Sequence, residues 1–439
     1  MPRALVCDPG SCVRKLGSGR RSREMQFTRF LRHAAVTPEA IFADAGAKTG
    51  LRAAGREVLA IQDSSDLVFG GVKRRAQGFG PVGKGGCTRG LTLHAVLAVD
   101  AITGEVLGLA GAQVWNRTGG KAAPRAQRTL EEKESLRWIK GAETAGRVLA
   151  KAAGITVVAD RESDIYEDYA RKPANVHLVT RMRHNRCLGD GKKLYDHMAA
   201  QNPAGELEHI DIPAKPGQSA RQAKLALRFC KVEVRAPHSG MPKESVQLLA
   251  PSLTLWAIDI CEVNAPEEIT PIHWRLISTR AIEDWAGALE ILRLYRMRWS
   301  IEEYFHSLKS GGFKIEEARI GEPDPMMGLT AAAAAVAAVT VMQLIKARDN
   351  PLGQAIAAVF DKQDCKIIAA INQEYEGPNP RPRQKNPNPR HSLAYATWVI
   401  GRLGGWTGYY DKPGPKTLNS GLQNFYKMKR GAILMRRDM

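Results

Sequence analysis

The sequence predicts an α/β fold: a mixed sheet flanked by helices, with a β-rich insertion and a helical C-terminal region. Three observations carry this. Apolar runs of strand length recur at 58–62, 91–101, 106–114, 155–159 and 176–181, with helical text among them. Two of those runs end on an aspartate, Asp63 and Asp160. Far downstream, 282–309 carries a helical period with an apolar arc formed by Leu294, Ile301, Phe305 and Leu308.

Taken in order, residues 1–24 are rich in Gly, Pro, Cys and Arg without period, which predicts disorder. From Gln26 the text turns helical, and Thr37 is placed as an N-cap with Pro38 at the first helical position and a close at Gly50. The strand 58–62 leads to Asp63; 91–101 and 106–114 follow, turned at Thr103 and Gly104. Residues 126–153 read as helix, 155–159 as a strand leading to Asp160, 164–171 as helix and 176–181 as strand. Three strands, helix, strand, helix, strand and a late long helix is the element order of a ribonuclease-H-like fold. Before that last helix, alternating runs at 225–234, 246–249, 253–260 and 274–278, punctuated by Pro and Gly, predict a β-rich insertion at about 188–280. Helices resume after Asn350, interrupted by a basic loop at 377–390.

The chain of 439 residues carries 64 Lys plus Arg against 45 Asp plus Glu, a net charge of +19. Such an excess points to a polyanionic partner, nucleic acid first, because each phosphate contact releases condensed counterions. A merely basic protein shares that composition. The seven cysteines are odd in number and show neither a Cys-x-x-Cys pair nor zinc-ligand spacing, so they read as reduced thiols of a cytosolic protein. No apolar stretch of signal-peptide type opens the chain. The run 326–345 has the length of a membrane span, but it is mostly alanine and contains Gly328, Thr330, Thr340 and Gln343, so a buried helix is expected and no membrane.

Within 282–309, read as one helix, Tyr295, Arg298, Glu302 and Lys309 fall at about 0°, −60°, −20° and −40° around the axis, on one narrow stripe. A charged stripe alone is the ordinary solvated face of an amphipathic helix. The spacing of these four resembles the Y-R-E-K signature of the bacterial cut-and-paste DDE transposases of insertion-sequence family four, the Tn-five group. The DRESD run at 160–164 and EKESLRW at 132–138 resemble local sequences of the same family, and the resemblance extends from about Gln26 to the C-terminus.

The resemblance implies a DNA transposase that cuts at transposon ends and joins the freed 3′-hydroxyl to target DNA, with a hairpin intermediate and a homodimeric complex on double-stranded DNA, working in the bacterial cytoplasm at the nucleoid. Asp63, Asp160 and Glu302 are the expected catalytic and metal-binding carboxylates. An all-oxygen set suits Mg²⁺, or Mn²⁺, and two ions about 4 Å apart would activate the attacking oxygen and stabilise the departing one. Each aspartate also has the plainer reading of a turn or cap residue, and Asp66, Glu162 and Asp164 compete with them. Tyr295, Arg298 and Lys309 are expected to hold the strand next to the cut. Trp274 resembles the family's base-stacking tryptophan, against the plainer reading of a core residue. Arg181 and Arg183 belong to a basic run that faces DNA or solvent. The expected division is an N-terminal helical DNA-binding remnant (1–54), a catalytic domain (55–350) and a dimerisation region (351–439). Only the last part of the family's N-terminal domain is resembled. The alternative is therefore a shortened transposase that binds DNA, dimerises and inhibits, or an inactive remnant.

Overall fold

The computed structural model describes residues 13–435 except 18, 70–77, 118–123, 125–126, 213–218, 238–241, 243–246, 248, 379–383 and 410. Ten described strands form one sheet. Its axis is β1 (Glu57–Val68), antiparallel to β3 (Thr88–Asp100) and parallel to β5 (Gly154–Ala159). β2 (Gly80–Val82) and β4 (Val106–Trp115) both pair with β3, and β6 (His177–Arg181) lies parallel to β5. The order β4-β3-β1-β5-β6, with β3 alone reversed among its neighbours β1, β5 and β6, is the ribonuclease-H-like arrangement. Val58, Leu59, Ala60 and Ile61 are almost wholly buried, because helices cover both faces; this is why that stretch reads as a continuous apolar run.

The insertion continues the same sheet. β10 (His273–Ser278) pairs antiparallel with β6, then β9 (Ser252–Val263), β8 (Arg221–Arg235) and β7 (Gly205–Ile212) follow in turn. Of the run expected at 246–249, Val246 and Leu248 lie outside the described residues; Gln247 and Leu249 are in no strand. β7 was not among the expected strands.

On one face, Leu59, Ile61, Val158, Val179, Ile258, Ile260 and Leu276 meet the late helices, and on the other Val58, Ala60, Val157, Leu178 and Ile277 meet the Leu136–Val148 and Tyr166–Arg171 helices. The helix expected over 126–153 is thus shorter, with turns preceding Leu136. The expected single helix at 282–309 is broken: α-helices Trp285–Arg296 and Ser300–Lys309 are joined by a 3-10 turn at Met297–Trp299. The tighter turn re-phases the stripe without separating its charged members. Asp284 caps the first of these helices, accepting from the Gly287 N–H at 2.8 Å.

Residues 13–17 and 19–24 depart from the expected disorder, and 1–12 and 18 of that stretch lie outside the described residues. Helices Val13–Leu16 and Arg21–Leu31 place Leu16 and Leu31 in the main core. Thr37 caps Pro38–Ala53 as expected. That helix lies so close to the sheet that a Cβ on Gly46 would stand 2.8 Å from the Ala110 carbonyl. The Pro323–Asp349 segment, helical with a π-stretch at Ala333–Ala338, is long and apolar enough to cross a membrane, yet 89% of its apolar window is buried in the fold. Helices Lys362–Glu376, Leu393–Leu403 and Pro415–Met435 complete the chain.

Candidate active site

The sheet register builds the site. Ile61 opposes Val158, and Val158 opposes Val179, so two residues further along, Asp63, Asp160 and Arg181 stand in one row across three parallel strands. In-register partners share a face, so the row lies on the side of the late helices. Asp160 directly follows β5, as expected. Asp63 does not end its strand: β1 runs on to Val68, pairing with β3 through Asp63↔Ala95 and Asp66↔Thr92. Its parallel partner has stopped by then, so among the described residues that edge of β1 has no strand partner beyond Ile61.

Glu302 reaches the row through Arg298. The Arg298 guanidinium donates to Asp63 Oδ2 at 3.2 Å and to Glu302 Oε1 at 3.4 Å. Burial, and next the nearby Asp160, push the Asp63 carboxyl up to about 7; the Ser64 N–H at 2.7 Å and Arg298 oppose the shift. Asp160 also accepts from the Glu162 N–H at 2.8 Å, so the plain capping role coexists with its place in the row.

Tyr295 is buried beside Arg298 and Arg181, and its burial pushes the phenol up. Lys309 is tied to the far end of β1, donating to the Asp66 carbonyl at 2.7 Å and pairing with Glu316 at 3.4 Å. Trp274 is half-buried against the main core. Because Leu276 opposes Arg181, Trp274 lies on the same face as the aspartate row. Arg183 falls beyond the end of β6 and is exposed, its N–H donating to Asp164 Oδ2.

The competing carboxylates have other partners. Asp66 accepts from the Gly83 N–H, Thr92 Oγ1 and Arg117. Asp164 is buried and binds the Arg183 and His184 N–H groups, Tyr169 and Arg186, so it holds the loop after β6. Glu162 pairs with Arg137 at 2.9 Å. On the opposite sheet face, Asp259, Cys261 and His273 place ligand atoms within 4.8 Å of one another. Yet Asp259 already accepts from His273 at 2.7 Å and faces Arg275 at 3.2 Å and Arg228 at 3.7 Å. Two guanidinium charges at that range oppose a divalent cation, and the group is a satisfied buried carboxylate.

Sequence reasoning missed Ser64, His94 and Arg137. Burial, and then Arg137, lower the His94 imidazole to about 3, so it is neutral, and its Nδ1 lies 2.9 Å from Ser64 Oγ. Arg137 Nε donates to the same oxygen at 2.9 Å. The only sequence signal for Arg137 was its place in EKESLRW. Comparison with known families finds that the model described as "Transposase DDE domain" matches residues 54–324.

Proposed function

As the chain belongs to the transposase DDE-domain family, with DNA as the substrate the family implies, we propose that it cuts DNA at transposon ends and transfers the freed strand into target DNA by a cut-and-paste route, in the manner of insertion-sequence family four. The observation that carries this reading is the row of Asp63 and Asp160 on adjacent parallel strands, joined to Glu302 through one guanidinium. Burial, and then the neighbouring Asp160, raise Asp63 to about 7, so a cation there would offset both the lost hydration and the repulsion. The donors are all oxygen, so the residues fit hard divalent ions, Mg²⁺ or Mn²⁺. Bound there, a pair of such ions would supply an activated oxygen nucleophile and charge stabilisation at phosphorus.

The chain's own groups do the rest. Asp63, Asp160 and Glu302 would hold the cations, and Arg298, which now pairs with Asp63 and Glu302, would then be available to a backbone phosphate. Arg181 extends the same row toward DNA, with Tyr295 and Lys309 along the helix and Arg183 at the rim. Trp274, on the same face, stacks on a base held out of the duplex during hairpin formation. A homodimer on paired ends completes the proposal. Asp63→Ala, Asp160→Ala and Glu302→Ala are each expected to abolish cleavage of a pre-nicked end substrate with Mg²⁺, a barrier rise of several kcal/mol, while bulk duplex binding persists. Wild-type-like cleavage by any one of them removes that residue from the site. Duplex binding without cleavage by the unaltered chain favours a DNA-binding inhibitor instead.

A further inference from the structure

From the far side of the sheet, Arg137 touches both segments that carry the aspartates. It stands in the first turn of the Leu136–Val148 helix, with 12% of its side chain exposed. Its Nε donates to Ser64 Oγ at 2.9 Å, one residue after Asp63, and its Nη2 to Glu162 Oε2 at 2.9 Å, two residues after Asp160. Nη1 donates back to the Glu134 carbonyl at 3.0 Å, and the guanidinium lies 5.1 Å over the Trp138 ring, so the fork is fixed from its own side. Ser64 is held in turn. The Gln62 amide, oriented to donate to His94 Nε2 at 3.0 Å and to the Trp138 carbonyl at 3.2 Å, leaves His94 Nδ1–H to donate to Ser64 Oγ at 2.9 Å. Gln62 then donates to His94, His94 and Arg137 both donate to Ser64 Oγ, and Arg137 donates to Glu162.

Strand register alone does not fix the Asp63 to Asp160 spacing, because β5 ends at Ala159 and Asp160 begins a 3-10 turn. The turn is the free element. Its Glu162 N–H donates to Asp160 Oδ1 at 2.8 Å, and its Glu162 side chain is the group that Arg137 grips. We propose that Arg137 is a positioning residue, a planar two-ended clamp that sets the separation of the Asp63 and Asp160 carboxylates and thereby the affinity of the site for divalent cations. It touches neither the carboxylates nor the DNA-facing side. This rests on the metal-site reading above, and it requires the fork geometry of arginine, which a lysine point charge does not reproduce.

The test is Mn²⁺ binding to full-length protein, followed by electron paramagnetic resonance of the free ion, with Asp63→Ala as the reference for site occupancy. Arg137→Ala and Arg137→Lys are expected to weaken Asp63-dependent Mn²⁺ binding by about 10- to 100-fold, the range for groups that orient metal ligands, with cleavage partly restored by excess Mn²⁺. Glu162→Gln keeps Arg137 in place and spares the fold, and about a tenfold loss is expected. If its effect runs through the clamp, Arg137→Ala with Glu162→Gln binds no more weakly than Arg137→Ala alone. Unchanged Mn²⁺ affinity in the folded Arg137 variants, or fully additive losses in the double variant, overturns the clamp. Wild-type protein that binds Mn²⁺ no better than Asp63→Ala overturns the metal-site reading, and the clamp with it.

Discussion

Asp63→Asn is expected to stabilise the metal-free protein above neutral pH while removing its response to divalent cations. Burial, then Asp160, raise the Asp63 carboxyl from its ordinary 3.8 to about 7. A carboxyl whose folded value lies above its unfolded one binds its proton more tightly in the fold. Its contribution is therefore fully present below about pH 4 and is lost as the pH rises through about 7. At about 1.4 kcal/mol per decade of proton affinity, ionised Asp63 costs the apo fold up to roughly 4 kcal/mol at about pH 8. Residual solvent contact reduces that ceiling to roughly 1 to 3 kcal/mol. Asparagine keeps the acceptor for the Ser64 N–H at 2.7 Å and removes the charge. Urea unfolding in EDTA should show the variant and wild type nearly equal at about pH 4, diverging to this gain by about pH 8. Added Mn²⁺ should then stabilise wild type and leave the variant nearly unmoved. A variant no more stable than wild type at about pH 8, or a gain of the same size at every pH, refutes the electrostatic argument. Asp168→Asn is the control: burial, then Glu167 and Glu143, raise Asp168 to about 8, so its gain has the same sign without touching the Mn²⁺ response.

Three further outcomes follow from the same geometry. Trp274→Ala should slow hairpin formation by roughly 1 to 3 kcal/mol and spare the first nick in a single-turnover gel assay; equal slowing of both steps marks Trp274 as core packing only. Lys429 is buried against Asp361 at 3.2 Å and against Asp364, so Lys429→Ala, which strands a buried carboxylate, should cost roughly 3 to 5 kcal/mol in urea unfolding. A loss below about 1 kcal/mol would show that solvent reaches Asp364. Ca²⁺ should tighten duplex binding by wild type in a filter assay, because it releases Arg298 from Asp63 and Glu302, and Arg298→Ala should remove that increment; an equal Ca²⁺ effect in both proteins refutes the release.

What could be read in advance divides along physical lines. β3, β4 and β5 were legible because burial on both faces leaves apolar runs, as in 95–99 or 157–159. The end of β1 was not, because Asp63 faces the late helices while Ser64 and Asp66 serve polar partners on the far side, and their backbone keeps pairing with β3 throughout. Side-chain pattern reports environment; pairing is a backbone property. The break at Met297–Trp299 was hidden for a related reason, since the segment contains neither Gly nor Pro and the 3-10 geometry follows from tertiary fit. Likewise Arg181 and Arg183 sit two residues apart in one basic run, yet only Arg181 is carried into the aspartate row, because β6 ends between them.

The insertion shows how these faces cooperate. Had it folded as a separate module, Trp274 would be positioned by a linker. Instead β10 pairs with β6 through Leu276↔Arg181, β6 with β5 and β5 with β1, so paired strands connect the strand that carries Trp274 to the strand that carries Asp63. Behind the same ladder lie the groups that hold it: Asp259 with Arg228, Arg275 and His273 beneath β9 and β10, and Arg137 beneath β1 and β5. One face carries the residues assigned to DNA and cations, and the other carries buried polar networks that are costly to disturb. On the function proposed above, fixing Asp63 and Asp160 from the far side of a rigid sheet would supply the sub-ångström placement that two-carboxylate cation binding demands.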